Sequence, residues 1–335
     1  MDASFAFIVF IIIVALVFDF LNGFHDSANS IATVVSTQVL KPHWAVLWAA
    51  FFNFVAFLFF DVHVATTIGT GLIDPTIIDP HVILAALISA IIWNILTWYY
   101  GIPSSSSHAL IGGLLGAGIS KADIYAVNVA GVSKVLISIV VSPMLGLVLG
   151  FFLMALVVRL FFKSTRYKAN LVFRKLQLVS SALVSLGHGG NDAQKVMGII
   201  AILLFSANMT GPEFHVPLWV VIVCNFVIAL GTLFGGWRII RTMGMKITKL
   251  KPVHGSCAEG AAAIALFLAT HLGIPVSTTH TLTGAIVGVG SLQKVSAVRW
   301  GIARRIVWAW IITIPATMIL SSGIWFLTRY ITLVI

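Results

Sequence analysis

GIPSSSSHALIGGLLGAG, residues 101–118, recurs later in the chain as GIPVSTTHTLTGAIVGVG, residues 273–290. The two segments are identical at nine of eighteen positions and are related by an offset of 172 residues. The same offset carries Asn53, in FFNF, onto Asn225, in VCNF. Matches of this length at one spacing indicate an internal duplication that spans most of the chain.

The composition is typical of a membrane protein. Of 335 residues, 59% are hydrophobic and only 9% are charged, and the mean hydropathy is +1.06. Such a chain has too little polar surface to coat a soluble globule of this size. Apolar stretches near the roughly 20 residues that span a bilayer recur about ten to twelve times along it. We therefore expect an all-α, polytopic membrane helix bundle.

Basic residues set the expected orientation in the membrane. The net charge of +10 would favour nucleic-acid binding in a soluble protein, but here the basic residues cluster at 159–175 and 238–251. The positive-inside rule places both clusters in the cytoplasm. We therefore expect membrane lipid and no nucleic acid as a partner, a plasma (inner) membrane location, and an N-terminus outside the cell.

Two halves with opposite orientations follow from this assignment. The helix at 44–60 then runs outward, whereas its counterpart around Asn225 runs inward. Secondary transporters use such inverted-topology repeats, with the substrate held between the repeats on interrupted helices. We expect a first repeat over residues 1–158, a basic cytoplasmic linker over 159–175 and a second repeat over 176–335. Each repeat is expected to contain an interrupted helix and a re-entrant hairpin.

Each repeated segment has the features of an anion site. A proline, expected at the first helical position, is followed by hydroxyl side chains and a helix whose glycines allow close packing. The first N–H groups of a helix lack intrahelical partners and carry partial positive charge, so they attract anions. The alternative, that the hydroxyls only cap the helix, is weakened by the symmetric second copy. The expected ligands of a tetrahedral oxyanion are Ser104, Ser105, Ser106, Ser107, Ser277, Thr278 and Thr279.

Acidic residues inside apolar segments are the candidate coupling groups. Asp26, in NGFHDSANS, and Asp192, in GHGGNDAQK, occupy matching positions in the two halves. A charged side chain at the bilayer centre costs about 2.5 to 3.5 kcal/mol on insertion scales, so such a residue indicates function. The glycines around each acid indicate unwound backbone, whose carbonyls would bind a cation or a proton together with the carboxylate.

The two halves differ at a position that bears on the coupling ion. Aligning Asp26 with Asp192 places Asn29 opposite Lys195. An ammonium group there disfavours two symmetric Na⁺ sites and favours proton coupling through the aspartates. Contact of Lys195 with the anion, and simple snorkelling, are the alternatives. Glu259 has no acidic counterpart, and we expect it to complete a cation site or to balance Lys195.

Further polar residues are expected to support the site. His108 and His280 follow the two prolines and are expected to hold the hairpins by hydrogen bonds, with proton relay as the alternative. Asp19 ends the first apolar run, where an interfacial position is expected. Two more pairs complete the set: His25 and His188, which are candidates for proton relay or metal contact, and Asn53 and Asn225, which are expected to hydrogen-bond across helices.

These motifs resemble the inorganic phosphate transporter (PiT) family, and its proton-coupled bacterial low-affinity branch more than its sodium-coupled branch. The resemblance rests on NGFHDSANSIATVVST, IIWNILTWYYGIPSSSSHALIGG, GHGGNDAQKVMGI and GIPVSTTHTLTGAIVGVG, and covers nearly the whole chain. It implies a homodimer that moves phosphate, or a neutral metal-phosphate complex, together with a cation. It also implies phosphate binding by the serine and threonine runs. The coupling residues that it implies are Asp26, Asn29, Asn191 and Asp192.

The sequence therefore predicts a secondary active transporter, not an enzyme, that imports inorganic phosphate with H⁺ by alternating access at a midplane site. No cofactor and no resident metal is expected. Na⁺ coupling, co-transport of a divalent metal with phosphate, and a sulfate or other oxyanion permease on the same scaffold stay open as alternatives. An intramembrane hydrolase is disfavoured because the hydroxyl runs lack a nucleophile elbow. An anion channel would show no uphill accumulation.

Overall fold

The computed structural model describes residues 5–334, which form a helical bundle with no strand among them. One order of elements occurs twice: a long helix, a broken helix, a hairpin that ends in a short helix, and a second long helix. The expected position of the N-terminus concerns residues 1–4, which lie outside the described residues. The α-helices are α1 (Phe5–Ser36), α2 (Pro42–Val55), α3 (His63–Thr70), α4 (Pro80–Tyr99), α5 (Ser106–Ala122), α6 (Val129–Leu160), α7 (Arg166–Ser206), α8 (Leu218–Phe234), α9 (Trp237–Arg241), α10 (Pro252–His271), α11 (Thr278–Gln293) and α12 (Trp300–Val334).

Within residues 5–334, five helices are long and apolar enough to cross a membrane: α1, α4, α6, α10 and α12. Two bent pairs, α2 with α3 and α8 with α9, raise the number to seven when each pair is counted as one span. The total is below the roughly ten to twelve apolar stretches of the sequence. The difference arises because α5 and α11 have only 17 and 16 residues and α7 carries a polar segment. Large apolar side chains on α6 and α12 are exposed, as expected of lipid-facing surfaces.

Glycine ends both helices that precede the hydroxyl runs. Gly101 and Gly273 adopt φ angles of +64° and +66°, a left-handed conformation that favours glycine. The N–H groups of Ile102 and Ile274 then donate to carbonyls five residues earlier at 2.9 Å, which closes a Schellman motif in each half. The Gly-Ile dipeptide shared by the two segments is therefore a helix stop.

Serine, rather than proline, begins the two short helices. Ser105 and Ser277 are the N-caps, and their hydroxyls accept the backbone N–H groups of His108 and His280 at 3.2 and 3.3 Å. The prolines lie two residues before these caps and outside the helices. The expectation of proline at the first helical position is therefore wrong, because the hydroxyl cap sets the helix start later in the chain.

The helices that carry the two aspartates are continuous. α1 and α7 remain helical through residues 22–30 and 187–195, so the expected unwinding at these places is wrong. The glycines there make room for neighbouring helices instead: a Cβ atom on Gly23 would lie 2.0 Å from the carbonyl oxygen of Ile228. The interruptions fall in the pairs α2–α3 and α8–α9, which bend by 81° and 63°.

The short hairpin helix of each half packs against the other half. α5 packs against α12 and α11 packs against α6, so each hairpin helix lies on the last helix of the other half. Glycines permit this packing, as the sequence indicates: a Cβ on Gly116 would lie 2.2 Å from the Met318 carbonyl oxygen, and one on Gly288 would lie 2.1 Å from that of Leu147. Each short helix therefore packs against both halves, since α5 also contacts α4 and α11 also contacts α10.

Between the halves, α6 extends to Leu160 and α7 begins at Arg166. Only residues 161–165 of the basic segment at 159–175 therefore lie between helices. The boundaries of the two repeats, and their inverted orientation, stay predictions of the sequence.

Candidate anion and coupling site

The two short helices begin next to each other inside the protein. His108 and His280, at the third position of α5 and α11, have ring centroids 4.6 Å apart. Both hydroxyl runs are buried: their residues, Ser104, Ser105, Ser106, Ser107, Ser277, Thr278 and Thr279, are at most 3% exposed. The duplicated segments therefore meet at one place and present two helix N-termini to it.

Asp26 connects both helix starts to α1. Its Oδ2 atom accepts the Ser106 hydroxyl of α5 at 2.7 Å, and the Thr279 hydroxyl of α11 lies 3.4 Å from its Oδ1 atom. His25 Nδ1 lies 2.9 Å from the same Oδ1 atom. On the next turn of the helix, Asn29 donates to the hydroxyls of Thr278 and Thr279 at 2.9 and 3.0 Å. Both α1 residues that the sequence singles out thus contact the predicted anion ligands.

Asp192 and Lys195 form the corresponding group on α7. The ammonium of Lys195 donates to a carboxylate oxygen of Asp192, to the Ser107 hydroxyl at 2.5 Å and to the Val276 carbonyl at 2.8 Å. Thr278 lies 3.3 Å from the other oxygen of Asp192. All three donors of the ammonium are engaged, and its side chain is 1% exposed. Lys195 therefore neither snorkels nor lies at the protein surface.

The acids of the two halves come within reach of a common ion. One ligand atom each from Asp26, Asp192 and His188 lie within 4.8 Å of one another, and all three residues are buried. His188 Nε2 is 3.2 Å from Asp192 Oδ2. This arrangement has the donor types of a small cation site, with two carboxylates and an imidazole. The sequence named His188 as a candidate for metal contact but did not predict this group, because its members come from α1 and α7.

The residues that precede the two aspartates anchor the ends of the hairpin helices. His25 Nε2 lies 3.1 Å from the hydroxyl of Thr97, which also accepts the Ser104 hydroxyl at 2.9 Å. Asn191 donates to the Thr270 hydroxyl at 3.0 Å, near the end of α10. Thr97 and Thr270 were missed in the sequence, although each lies a few residues before the Gly-Ile helix stop. Each half therefore fixes its aspartate relative to its hydroxyl run.

Glu259 lies in a separate buried cluster. Its carboxylate accepts the Thr33 hydroxyl, the Gln177 amide at 3.0 Å and the Ser180 hydroxyl at 2.5 Å. No ion pair joins Glu259 to Lys195 among the described residues, so the expectation that it balances Lys195 is wrong. Distance along the chain explains the error, since the partners come from two other helices, α1 and α7. The two hydroxyls and the amide that surround this carboxylate are groups of the kind that a cation or proton site uses.

The supporting histidines and asparagines behave unequally. His280 stacks on Trp310 at a centroid distance of 3.8 Å, and the ring nitrogens of His108 have no hydrogen-bond partner among the described residues. Ring packing, rather than the expected hydrogen bonding, thus holds His108. Asn53 does bridge helices, because its amide donates to Thr232 at 2.9 Å and its oxygen faces His188 Nδ1 at 3.2 Å.

Asn225 does not repeat this role. Its amide donates to the Val221 carbonyl of its own helix at 2.8 Å, and its oxygen has no hydrogen-bond partner in the part of the chain that the structure describes. The expected cross-helix bond is therefore wrong for Asn225. The two halves share a backbone plan but differ in the side chains that line it.

Comparison with known proteins assigns the family. The sequence profile of the phosphate transporter family matches residues 22–321, a range that includes all of the predicted site residues. The chain belongs to the phosphate transporter family. This transporter is 62% identical to a probable low-affinity inorganic phosphate transporter of Rhizobium meliloti, over 97% of this chain and 98% of that protein. A protein of the same description from Bacillus subtilis is 46% identical, over 99% of this chain and 100% of its own length.

A solved structure supports the same assignment. It is described as the sodium-dependent phosphate transporter, and it matches 97% of this chain and 100% of its own with a TM-score of 0.86 and 25% sequence identity. Together with the apolar helices, these relationships identify the chain as a multi-pass membrane transporter of phosphate, not an enzyme. The resemblance stated from the sequence motifs is thereby confirmed.

Proposed function

We propose that this transporter imports phosphate by symport with H⁺. The observation that carries the proposal is the position of Lys195. Its ammonium is held by a carboxylate, a hydroxyl and a backbone carbonyl, the oxygen ligands that Na⁺ would also take. A fixed positive charge therefore occupies the place of a cation beside Asp192, which leaves Asp26 as the acid available for a mobile charge.

The contacts of Asp26 suit a proton. Ser106 Oγ lies 2.6 Å from Asn22 Oδ1 and 2.7 Å from Asp26 Oδ2. A hydroxyl has one hydrogen to donate, so it satisfies only one of these two acceptors. A proton on Asp26 Oδ2 completes the second contact, with Asp26 donating to Ser106 and Ser106 donating to Asn22. Protonated Asp26 therefore allows both contacts of the Ser106 hydroxyl to be hydrogen bonds.

Phosphate would bind where α5 and α11 begin. The free N–H groups and the hydroxyls of the two runs are suited to a tetrahedral anion, and the dipoles of both helices favour negative charge there. Ser107 and Thr278 now contact Lys195 and Asp192, so an arriving anion would exchange these contacts for its own. Phosphate near neutral pH keeps a proton that it can donate to a carboxylate, whereas sulfate does not. We expect the buried acids to reject sulfate on this ground.

The duplication supports a proposal of transport by alternating access. We propose that the two halves are inverted and rock about the hydroxyl runs, in a plasma-membrane homodimer whose N-terminus is outside the cell. A divalent metal could travel with phosphate through the group formed by Asp26, His188 and Asp192. That group, and the sodium-dependent structural relative, favour the second candidate, Na⁺ coupling.

The experiment that tests H⁺ coupling is uptake of radiolabelled phosphate into proteoliposomes with Na⁺ replaced by choline. We expect uptake to persist in choline and to collapse when a protonophore is added. A Lys195→Asn variant provides the contrast, since it opens the position beside Asp192 to a cation. Uptake that requires Na⁺ in the wild-type protein would overturn H⁺ coupling in favour of Na⁺ coupling. Uptake of sulfate in preference to phosphate would overturn the proposed rejection of sulfate by the buried acids.

A further inference from the structure

Asp19 is a buried acid that the site described above does not use. It was expected at the membrane interface, but its side chain is 0% exposed and lies in α1 among the apolar residues that pack around Phe18. Both of its carboxylate oxygens lack a hydrogen-bond partner among the described residues. An isolated carboxylate in such surroundings is far costlier than the neutral acid. The burial and the missing partners set Asp19 apart from the acids of the site described above.

The position of Asp19 relates it to the coupling site. Asp19, Asn22 and Asp26 are three and then four residues apart, a spacing that places them on one face of α1. Asn22 accepts the same Ser106 hydroxyl that contacts Asp26. Seven residues of helix separate the two acids by roughly 10.5 Å along the axis. Asp19 is thus the next acid beyond the central site toward the start of α1.

Few other charges act on Asp19. Among the described residues, the titratable groups that interact with it electrostatically from neighbouring helices are Asp192 on α7 and Cys224 on α8. No lysine, arginine or histidine forms an ion pair with Asp19 in the described part of the chain. The matching position in the second half is Ser185, whose hydroxyl donates to the Ser181 carbonyl of its own helix at 2.8 Å. Only the first half therefore carries an acid here.

We propose that Asp19 is a proton-binding site that loads the coupling proton onto Asp26. Water delivers a proton to the Asp19 carboxylate, which becomes the neutral acid. In the transfer step the O–H bond on Asp19 breaks, the proton passes along the face of α1 that carries Asn22, and an O–H bond forms on Asp26. The negative charge moves from Asp26 to Asp19, and the next proton from water neutralises it. This inference rests on the proposed H⁺ coupling and adds a second acid to it.

The test compares driven accumulation with exchange. Wild-type protein, Asp19→Asn, Asp19→Glu and the matched control Ser185→Ala are reconstituted in liposomes, and labelled phosphate is followed under an imposed pH gradient and during equilibrium exchange. We expect Asp19→Asn to lose accumulation driven by the pH gradient while it keeps exchange. Asp19→Glu should recover accumulation because it restores an acid, and Ser185→Ala should match the wild type.

The outcomes separate this inference from the proposed function. If the wild type shows no accumulation driven by the pH gradient, H⁺ coupling itself is wrong, and the loading role of Asp19 falls with it. If the wild type and Asp19→Asn accumulate phosphate equally, H⁺ coupling stands and the role of Asp19 is wrong. Infrared spectra give an independent readout should Asp19→Asn fold poorly. A protonated carboxylic acid band that shifts in Asp19→Glu supports the proposal, and an unshifted spectrum overturns it.

Discussion

Replacing Lys195 with methionine tests the buried ion pair on which the choice of coupling ion depends. Methionine keeps most of the side-chain length and removes the charge, so Asp192 keeps His188 and Thr278 but loses its ammonium partner while it stays 0% exposed. Removing one member of a buried pair typically costs about 3–5 kcal/mol. At this chain length about 2 °C is lost per kcal/mol, so we expect the melting temperature of the purified protein in detergent to fall by about 6–10 °C.

Two further variants make this result specific. Asp192→Asn combined with Lys195→Met removes both charges, and we expect the double variant to recover much of the lost stability. Lys121→Met removes a lysine whose ion pair with Asp79 is about a quarter exposed, and it should cost less than about 1 kcal/mol. A Lys195→Met protein that melts with the wild type, or a double variant no more stable than the single one, would refute the reasoning about this pair.

Three other expectations follow from the structure. Asp26→Asn should fold normally and lose phosphate accumulation driven by a pH gradient, as measured in proteoliposomes, since an amide cannot take up the proton. Ser106→Ala should weaken the same accumulation and Ser106→Thr should retain it, because threonine keeps the hydroxyl between Asn22 and Asp26; equal uptake by both variants would argue against this contact. Gly288→Val should lower the melting temperature, since its Cβ would lie 2.1 Å from the Leu147 carbonyl oxygen and overpacking costs about 1–3 kcal/mol.

The meeting of the hydroxyl runs could be predicted from the sequence because it depends on duplication and local helix signals. The Gly-Ile stops and the serine caps act within a few residues, and the two copies share them. The glycines near Asp26 and Asp192 were misread as unwinding signals. In α1 and α7 they provide close approach to neighbouring backbone, as at Gly189, whose Cβ would lie 2.4 Å from the Asn53 carbonyl oxygen. A glycine inside an apolar segment can mark unwound backbone or close approach of a neighbouring helix. Only the packing of the folded chain distinguishes the two.

The remaining features depend on contacts between distant parts of the chain. Glu259 meets Thr33 across 226 residues, and no local pattern marks that pairing. The burial of Asp19 likewise depends on α8, which packs against α1. The sequence alone shows only that Asp19 ends an apolar run, and it was therefore expected at the membrane interface. Asn225 differs from Asn53 because its amide bonds its own helix and no hydrogen bond to a facing helix is formed among the described residues, although the surrounding motifs match.

Accumulation of phosphate under single imposed gradients is the most direct measurement. Liposomes holding the wild-type protein would start with equal labelled phosphate on both sides and receive either an inside-alkaline pH gradient without Na⁺ or an inward Na⁺ gradient at uniform pH. Because Lys195 already supplies the positive charge beside Asp192, we predict that phosphate rises inside under the pH gradient alone. Accumulation under the Na⁺ gradient alone would contradict this.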